Sequence, residues 1–213
     1  MDCRFRSIFK ILNVNLKHNF LPHFFIALII AFFTPVLFGI ASLNGREAAQ
    51  PLEHMLSIVG IVLLTPIFLP EQNENIRDLI RSKRTDYLAV CLLRLLYSIF
   101  FLAVIIGAFT WIMQCRESEV TIRHFIGGLS SALFLGSLGF FFAGLSRNTI
   151  IGYMLSLIYY IANFAMKNEL KNFYLFSMSA GSFTEKYWLF GGAAFLFAGT
   201  CVLLKCIPQI YSN

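Results

Sequence analysis

Six long apolar runs limit what this chain can fold into more than any other feature of its sequence. They are Leu21–Leu43, Leu52–Leu69, Tyr87–Met113, Phe125–Leu145, Thr149–Met166 and Trp188–Leu204. A membrane-spanning helix needs about 20 apolar residues, and each run is near that length. Charged residues make up 13% of the chain, whereas soluble domains carry about 25%. The sequence therefore predicts an all-α membrane protein with six transmembrane helices.

The first 20 residues predict an amphipathic helix that lies on the membrane surface. Phe5, Ile8, Phe9, Leu12 and Leu16 recur at helical spacing, and Arg6, Lys10, Asn13 and Lys17 fall on the other side. Such a helix rests in the headgroup layer with its cations near lipid phosphates; the alternative is a frayed basic tail. The predicted organisation is an interfacial helix over residues 1–20 and a six-helix transmembrane domain over residues 21–213.

The distribution of basic residues predicts how the chain crosses the cell membrane. If the N-terminus is inside, the inner segments hold ten Lys and Arg residues and the outer loops hold six, with Lys186 counted among the outer ones. Because basic residues accumulate on the cytoplasmic side, this bias predicts a multi-pass protein with both termini in the cytoplasm. The longest outer loop, residues 167–187, contains an apolar stretch from Phe173 to Met178. We expect that stretch to fold back toward the membrane, where protein covers it.

The motifs that the sequence lacks argue against several functions. It contains no G-x-x-x-x-G-K-[ST] phosphate loop, no H-E-x-x-H and no G-x-S-x-G, so we expect no enzymatic activity in this chain. Its cysteines and histidines show no metal-ligand spacing, and it has no basic, aromatic-rich soluble face for nucleic acid. We therefore expect neither a cofactor or metal in this chain nor a nucleic-acid partner.

The most charged segment, Glu71 to Asp86, lies between the second and third runs and would be cytoplasmic. Its spacing predicts a short helix with three apolar residues on one face: Ile76, Leu79 and Ile80. The opposite face carries Glu74, Arg77 and Arg81. A helix of this kind needs something to cover its apolar face, either the headgroup layer or another protein.

Polar and small residues mark three places within the predicted spans. Arg94 is the one fully charged residue predicted well inside a span, where it snorkels to the cytoplasm, pairs with the charged segment or belongs to a translocation path. Asn163 either hydrogen-bonds another helix or lines such a path. Gly128, Ala132 and Gly136 recur every fourth residue, which lets helices approach closely. We expect this stripe to pack inside one bundle rather than to form a dimer face.

The layout resembles the permease subunit of type-2 ABC exporters over nearly the whole chain. The shared features are a basic amphipathic N-terminal helix, six spans, both ends inside, and a charged helical loop between the second and third spans. The most specific piece is PEQNENIRDLIRSKRTDYLAVCLLRLL, from Pro70 to Leu96. In such permeases an acidic start, an apolar pair and a small or basic turn lead into the third span. Here the acidic start is Glu71 and Glu74, the apolar pair is Leu79–Ile80, and the turn is Ser82 to Asp86. The chain departs from the pattern at Asn75 and Lys83, where many members have Gly and Pro.

The resemblance implies the type-2 ABC exporter permease fold and a role in ATP-driven export. The loop over residues 71–86 would dock in a groove on a dimer of separate ABC ATPase subunits, which would bind ATP and Mg. Ile76, Leu79 and Ile80 would fill the groove, and its rim would meet Glu71, Glu74, Arg77 and Arg81. A second permease subunit, identical or related, would complete the path for a peptide, antibiotic or lipid-like cargo. The alternative is a six-span membrane scaffold or assembly factor without transport activity.

Overall fold

The computed structural model describes residues 16–72, 87–166 and 169–210, and the regular structure in those ranges is helical throughout. Most of the predicted interfacial helix over residues 1–20 lies outside these ranges; its end, Leu16–Phe20, forms a π-helical turn that runs into the first long helix. Six residues of the predicted coupling helix also lie outside the described residues, so that helix stays a prediction. They are Glu74, Ile76, Arg77, Leu79, Ile80 and Arg81.

Six long helices follow in the described ranges, one for each apolar run. We number them α1 (Leu21–Phe38), α2 (Gly45–Pro70), α3 (Tyr87–Cys115), α4 (Ile122–Ser146), α5 (Thr149–Ala165) and α6 (Thr184–Ile210). Within the part of the chain described, five of them are long and apolar enough to cross a membrane, and α5, with 17 residues, is shorter. The prediction of an all-helical protein with several candidate membrane-spanning helices is confirmed for the described residues, and the six-span exporter fold stays a prediction.

The second helix begins earlier than its apolar run predicts. α2 begins at Gly45 rather than Leu52, and the Asn44 N–H just before it donates to Glu47 Oε2 at 3.3 Å. This capping pair satisfies a backbone group at the helix start, so the helix can form before the apolar pattern does. As a result, Glu53 lies well inside a helix rather than at the margin of a span.

The last helix also begins early. α6 starts at Thr184 rather than Trp188, and the Ser182 hydroxyl donates to the Glu185 carboxylate in the first turn. A polar residue before the first turn and a glutamate within it are typical of a helix N-terminus. Lys186 therefore belongs to a helix and not to the outer loop, where its basic charge is counted in the sequence-based topology.

The helices alternate in direction, so the bundle has two ends. At the loop end lie residues 39–44, 116–121, 166 and 169–183. Two of these loops are joined there, since the Ser42 N–H donates to the Arg116 carbonyl at 3.0 Å. At the turn end, residues 146–148 join α4 to α5 beside Gln72, whose amide donates to the Thr149 hydroxyl at 2.7 Å. In the predicted orientation, the loop end is outside and the turn end is cytoplasmic.

Glycines bring α2 and α5 into backbone contact with α4, the central helix of the bundle. A Cβ atom on Gly60 of α2 would lie 1.9 Å from the Ala132 carbonyl oxygen of α4. A Cβ atom on Gly152 of α5 would lie 2.5 Å from the Gly139 oxygen, also of α4. These distances are too short for a side chain, so the three backbones touch. By contrast, 11% of α1 is buried, so most of its apolar surface is not covered by the rest of the described chain.

Prolines divide α2 into segments of different helical pitch. Pro51 precedes a π turn, Leu52–Leu56, and Pro66 and Pro70 lie in a terminal 3-10 helix, Thr65–Gln72. Because proline has no N–H, each one removes a hydrogen bond that an α-helix would make. A 3-10 helix rarely exceeds about four residues, whereas this one has eight. It leads from the membrane span into the charged segment.

Candidate functional site

Residues 174–183, which we call the inserted segment, enter the loop end of the bundle. Their backbone forms turns rather than a helix, and four consecutive side chains are at most 2% exposed: Leu175, Phe176, Ser177 and Met178. The prediction that this apolar stretch folds against protein is confirmed for these four residues, whereas Phe173 is 40% exposed. Non-helical backbone buried in this way needs hydrogen-bond partners for its N–H and C=O groups.

Glu53 of α2 supplies two of those partners. Its carboxylate is fully buried; Oε1 accepts from the Met178 N–H at 2.8 Å and Oε2 accepts from the Ser179 N–H at 3.0 Å. Glu53 lies in the π turn Leu52–Leu56, eight residues after the start of α2. At a rise of 1.5 Å per residue, this is about 12 Å along the helix axis. The inserted segment therefore reaches well into the bundle.

Lys186 of α6 provides the opposite charge. Its ammonium group lies 2.6 Å from Glu53 Oε1, donates to the Ser131 hydroxyl of α4 at 2.7 Å, and donates to the Leu175 carbonyl of the inserted segment. An ammonium group has three donors, and these three acceptors use all of them. The side chain of Lys186 is 4% exposed and that of Glu53 is 0% exposed. Three helices and the inserted segment thus meet at one buried ion pair.

The burial of this ion pair makes it costly both to form and to break. Taking each charge out of water costs several kcal/mol, which only a fully hydrogen-bonded geometry offsets. Removing one partner typically costs about 3–5 kcal/mol because the other charge stays buried. Three of the groups that complete the bonding belong to the inserted segment: Leu175 O, Met178 N and Ser179 N. The ion pair is therefore satisfied only while the inserted segment is in place.

Asn163 of α5 makes a second attachment to the same segment. Its Oδ1 accepts from the Leu175 N–H at 2.8 Å, and its Nδ2 donates to the Tyr159 carbonyl at 2.8 Å. The Tyr159 hydroxyl donates to the Phe173 carbonyl at 2.6 Å. Of the two roles predicted for Asn163, helix-to-helix bonding or lining a path, the structure shows neither directly. It shows a side chain that binds the backbone of the inserted segment.

Aromatic rings pack around Phe176 at the loop end. His54 stacks on it, with ring centroids 4.4 Å apart and an angle of 5° between the planes. The Tyr160 hydroxyl of α5 donates to the His54 carbonyl at 2.9 Å, which ties α5 to the π turn. Burial raises the pKa of the Tyr174 phenol, and the charge of Glu53 raises it further. That phenol therefore stays neutral at physiological pH and adds no second negative charge.

Arg94 lies at the turn end, away from this cluster. It is 3% exposed, and its guanidinium donates to the Ile67 carbonyl at 3.0 Å. In a 3-10 helix that carbonyl would accept from the residue three positions later, which is Pro70 and has no N–H. Arg94 thus supplies a donor that the proline removes. Its side chain is packed against α2 rather than extended into solvent, and its bond to Ile67 stabilises the 3-10 helix.

The small-residue stripe of α4 lies inside the bundle, against α2. Gly128 is close enough that an added Cβ would lie 3.4 Å from the Leu52 Cβ, and one on Gly136 would lie 2.6 Å from the Gly60 oxygen. Ala132 is fully buried. The stripe thus serves the packing of one chain. Of the predicted coupling residues, Glu71 has a described backbone, in the 3-10 helix Thr65–Gln72.

The apolar runs alone do not identify Glu53 and Lys186 as residues of the candidate site. They place Glu53 at the margin of the second span and Lys186 in the outer loop, and Arg94 then stands as the one intramembrane charge. The structure differs at both helix starts, because α2 and α6 extend beyond their apolar runs and therefore include Glu53 and Lys186. Polar residues carry the signal that locates these helix starts: the capping box of Asn44 and Glu47, and Ser182 bonded to Glu185 in the first turn of α6.

The cluster is suited to holding a segment of chain, since its two charged groups are engaged by each other and by backbone. Within residues 16–72, 87–166 and 169–210, no group of His, Cys, Asp and Glu side chains is arranged to hold a metal ion.

In comparisons with known proteins, no family model matches the chain, and neither the curated proteins nor the solved structures include a significant match.

Proposed function

We propose that this chain is the membrane-spanning permease subunit of an ATP-driven exporter and that the inserted segment is the gate at the outer end of its path. A second permease subunit would form the path with it, and residues 71–86 would couple it to a dimer of separate ATPase subunits. ATP and Mg would bind to those subunits. The cargo would be an amphipathic molecule of the peptide, antibiotic or lipid-like class.

The observation that supports this proposal best is the Glu53–Lys186 ion pair. A scaffold gains little from such a pair, because apolar side chains of similar volume often give equal or greater stability. Ionisable residues inside membrane spans commonly mark transport pathways and their gates. Here the groups that complete the pair are backbone atoms of one non-helical segment. That arrangement suits an element that must be held firmly in one position and released as a unit.

The two ends of the bundle also suit different tasks in a transporter. At the loop end, the inserted segment fills the space between α2, α4, α5 and α6. At the turn end, α2 continues as the 3-10 helix Thr65–Gln72 toward the charged segment. A coupling surface at one end and a closed gate at the other are what alternating access requires of a permease.

The proposal is tested by purifying the tagged full chain from membranes of its native cells in mild detergent. We expect an ATPase that carries a phosphate loop to co-purify, and the eluate to hydrolyse ATP. Burying one Leu or Ile side chain is worth about 1.5–3 kcal/mol, so the Leu79→Ser/Ile80→Ser double variant should lose the ATPase. Glu74→Gln, on the charged face of the same helix, should retain it, because an exposed ion pair contributes about 0–1 kcal/mol.

Two results would contradict the proposal. Wild-type chain that brings down no phosphate-loop ATPase would favour a scaffold or assembly factor. Equal recovery of the ATPase with wild type and with Leu79→Ser/Ile80→Ser would show that the apolar face of the charged segment does not bind it. Western blots of the membrane fraction provide the control that each variant is inserted at the wild-type level.

A further inference from the structure

Both ends of α5 are bonded to non-α-helical segments of the chain. At the turn end, the Thr149 hydroxyl accepts from the amide of Gln72, the last residue of the 3-10 helix. At the loop end, Asn163 accepts from the Leu175 N–H of the inserted segment. The fourteen steps along the helix from Thr149 to Asn163 span about 21 Å at 1.5 Å per residue. We infer that α5 is a rigid rod that transmits a displacement of the 3-10 helix Thr65–Gln72 to the gate.

The inference rests on the proposed function for the identity of the gate, and it adds the route by which that gate is controlled. α5 is suited to the role because it is one uninterrupted helix. Asn148 caps it by accepting from the Ile150 N–H at 2.9 Å, and the helix contains no proline. Prolines, π turns and 3-10 segments are the usual places where a helix bends, and α5 has none of them. It therefore moves as a unit.

Contacts at the turn end are tight enough to pass on a small shift. A Cβ atom on Gly152 of α5 would lie 3.0 Å from Thr65 Cγ2 of the 3-10 helix and 2.5 Å from the Gly139 oxygen of α4. The Ser156 hydroxyl donates to the Leu135 carbonyl at 3.2 Å. Because the Thr65 side chain already packs against α5 at Gly152, a shift of the 3-10 helix toward α5 would displace that helix.

One buried group at this junction has an unmet hydrogen bond. The Thr65 hydroxyl is buried and has no partner, and an added Cβ on Gly139 would lie 2.1 Å from it. An unsatisfied buried hydroxyl raises the free energy of the arrangement that contains it. A second arrangement of the 3-10 helix, in which this hydroxyl reaches an acceptor, would lower that energy. The junction thus has a physical reason to adopt two positions.

α2 offers a rival route, since it runs directly from the 3-10 helix to Glu53. Its irregular geometry makes it a poor transmitter. The π turn Leu52–Leu56 interrupts it just where Glu53 is held, and the 3-10 helix Thr65–Gln72 ends it. The rival is tested separately, because breaking the Gln72–Thr149 hydrogen bond leaves the α2 route intact.

The test uses the full chain in membrane vesicles with its five native cysteines changed to Ala. Ser177→Cys, buried in the inserted segment, reports opening through its rate of reaction with a membrane-impermeant maleimide. Gln72→Ala should raise that rate about fivefold, which corresponds to about 1 kcal/mol. Lys205→Ala is the control near the same end of the bundle, since its side chain is exposed and belongs to α6; it should leave the rate unchanged. Hydrogen exchange of residues 174–183 in Gln72→Ala provides a second readout without the reporter cysteine.

A double variant decides whether α5 carries the effect. Asn163→Ala removes the hydrogen bond between α5 and the inserted segment. Adding Gln72→Ala to that variant should therefore cause no further increase in the labelling rate. Additive effects, or a Gln72→Ala rate equal to that of Lys205→Ala, would overturn the inference. These results are separable from the proposed function. If the labelling rates change as expected but no ATPase co-purifies, the role of α5 is supported and the proposed exporter function is contradicted. If an ATPase co-purifies but Gln72→Ala has no effect, the exporter function is supported and the role of α5 is contradicted.

Discussion

The Lys186 ammonium lies 2.6 Å from the Glu53 carboxylate, and the bonding of both groups is completed by backbone atoms of the inserted segment, residues 174–183. Two helices are thus joined by an ion pair that depends on a piece of chain belonging to neither. Removing the segment would leave two buried charges with fewer partners, and removing either charge would leave the segment's backbone groups unpaired. The ion pair and the inserted segment therefore stabilise each other.

This mutual dependence predicts the effect of removing one charge. Lys186→Met should lower the free energy of unfolding by about 3–5 kcal/mol, because it leaves the Glu53 carboxylate buried without its counter-ion. The Glu53→Gln/Lys186→Met double variant should lose less than the sum of the single losses, since no charge then remains alone. Thermal unfolding in detergent measures both. Lys205→Met, at an exposed position of the same helix, should change stability by less than about 0.5 kcal/mol. Strictly additive losses would mean that the pair is not coupled.

The contact between α2 and α4 predicts opposite effects of alanine at two glycines. Gly60→Ala would place a Cβ 1.9 Å from the Ala132 oxygen, and such overpacking typically costs about 1–3 kcal/mol or more. Gly191→Ala, in α6, has no atom within 4 Å of its added Cβ and should gain about 0.5–1 kcal/mol from helix propensity. The comparison uses thermal midpoints in one detergent. A neutral Gly60→Ala would show that the two backbones are farther apart than described here.

Arg94 and Pro70 are predicted to be coupled through the Ile67 carbonyl. Arg94→Met removes its donor and should cost about 1–3 kcal/mol for a buried, unsatisfied carbonyl. Pro70→Ala restores an N–H at the position three residues after Ile67, so Arg94→Met should cost less in that background. A double-mutant cycle on the thermal midpoint measures the difference. If the two backgrounds lose equal stability, Arg94 does not act through this carbonyl.

The helical, membrane-spanning character follows from the apolar runs, because each run overlaps one helix. The runs do not locate the helix start where polar residues precede the apolar pattern, as Asn44 with Glu47 does in α2 and Ser182 with Glu185 does at α6. Both differences matter, since each one places a charged residue of the candidate site, Glu53 or Lys186, outside the predicted interior of a helix. Hydropathy reports which residues tolerate lipid and is insensitive to charges that are paired inside the bundle.

The pairing of Glu53 with Lys186 has no local signature in the sequence. The two residues come from the second and last helices, and only the packing of both against α4 brings them together. Asn163 is different, since a lone amide in an apolar helix predicts some hydrogen-bond partner. Its acceptor role toward Leu175 depends on the turns of the inserted segment, which follow neither helical nor strand periodicity.

The predicted topology is tested by cysteine labelling in intact cells. In a chain without its native cysteines, Lys171→Cys at the loop end should react with a membrane-impermeant maleimide added outside. Lys83→Cys, in the charged segment, should react only after permeabilisation, because the bias of basic residues puts that segment in the cytoplasm. The reverse pattern would invert the protein and place the inserted segment on the ATPase side, where it could not be the outer gate.

The most direct measurement of the central claim is the ATP dependence of gate opening. The chain carrying Ser177→Cys is purified with its associated subunits and reconstituted into vesicles, and its labelling rate is measured with ATP and Mg and with a non-hydrolysable ATP analogue. If the inserted segment is the gate of an ATP-driven exporter, ATP turnover should raise the labelling rate, and Leu79→Ser/Ile80→Ser should abolish that increase. A labelling rate that is identical with ATP, with the analogue and without nucleotide would contradict the account.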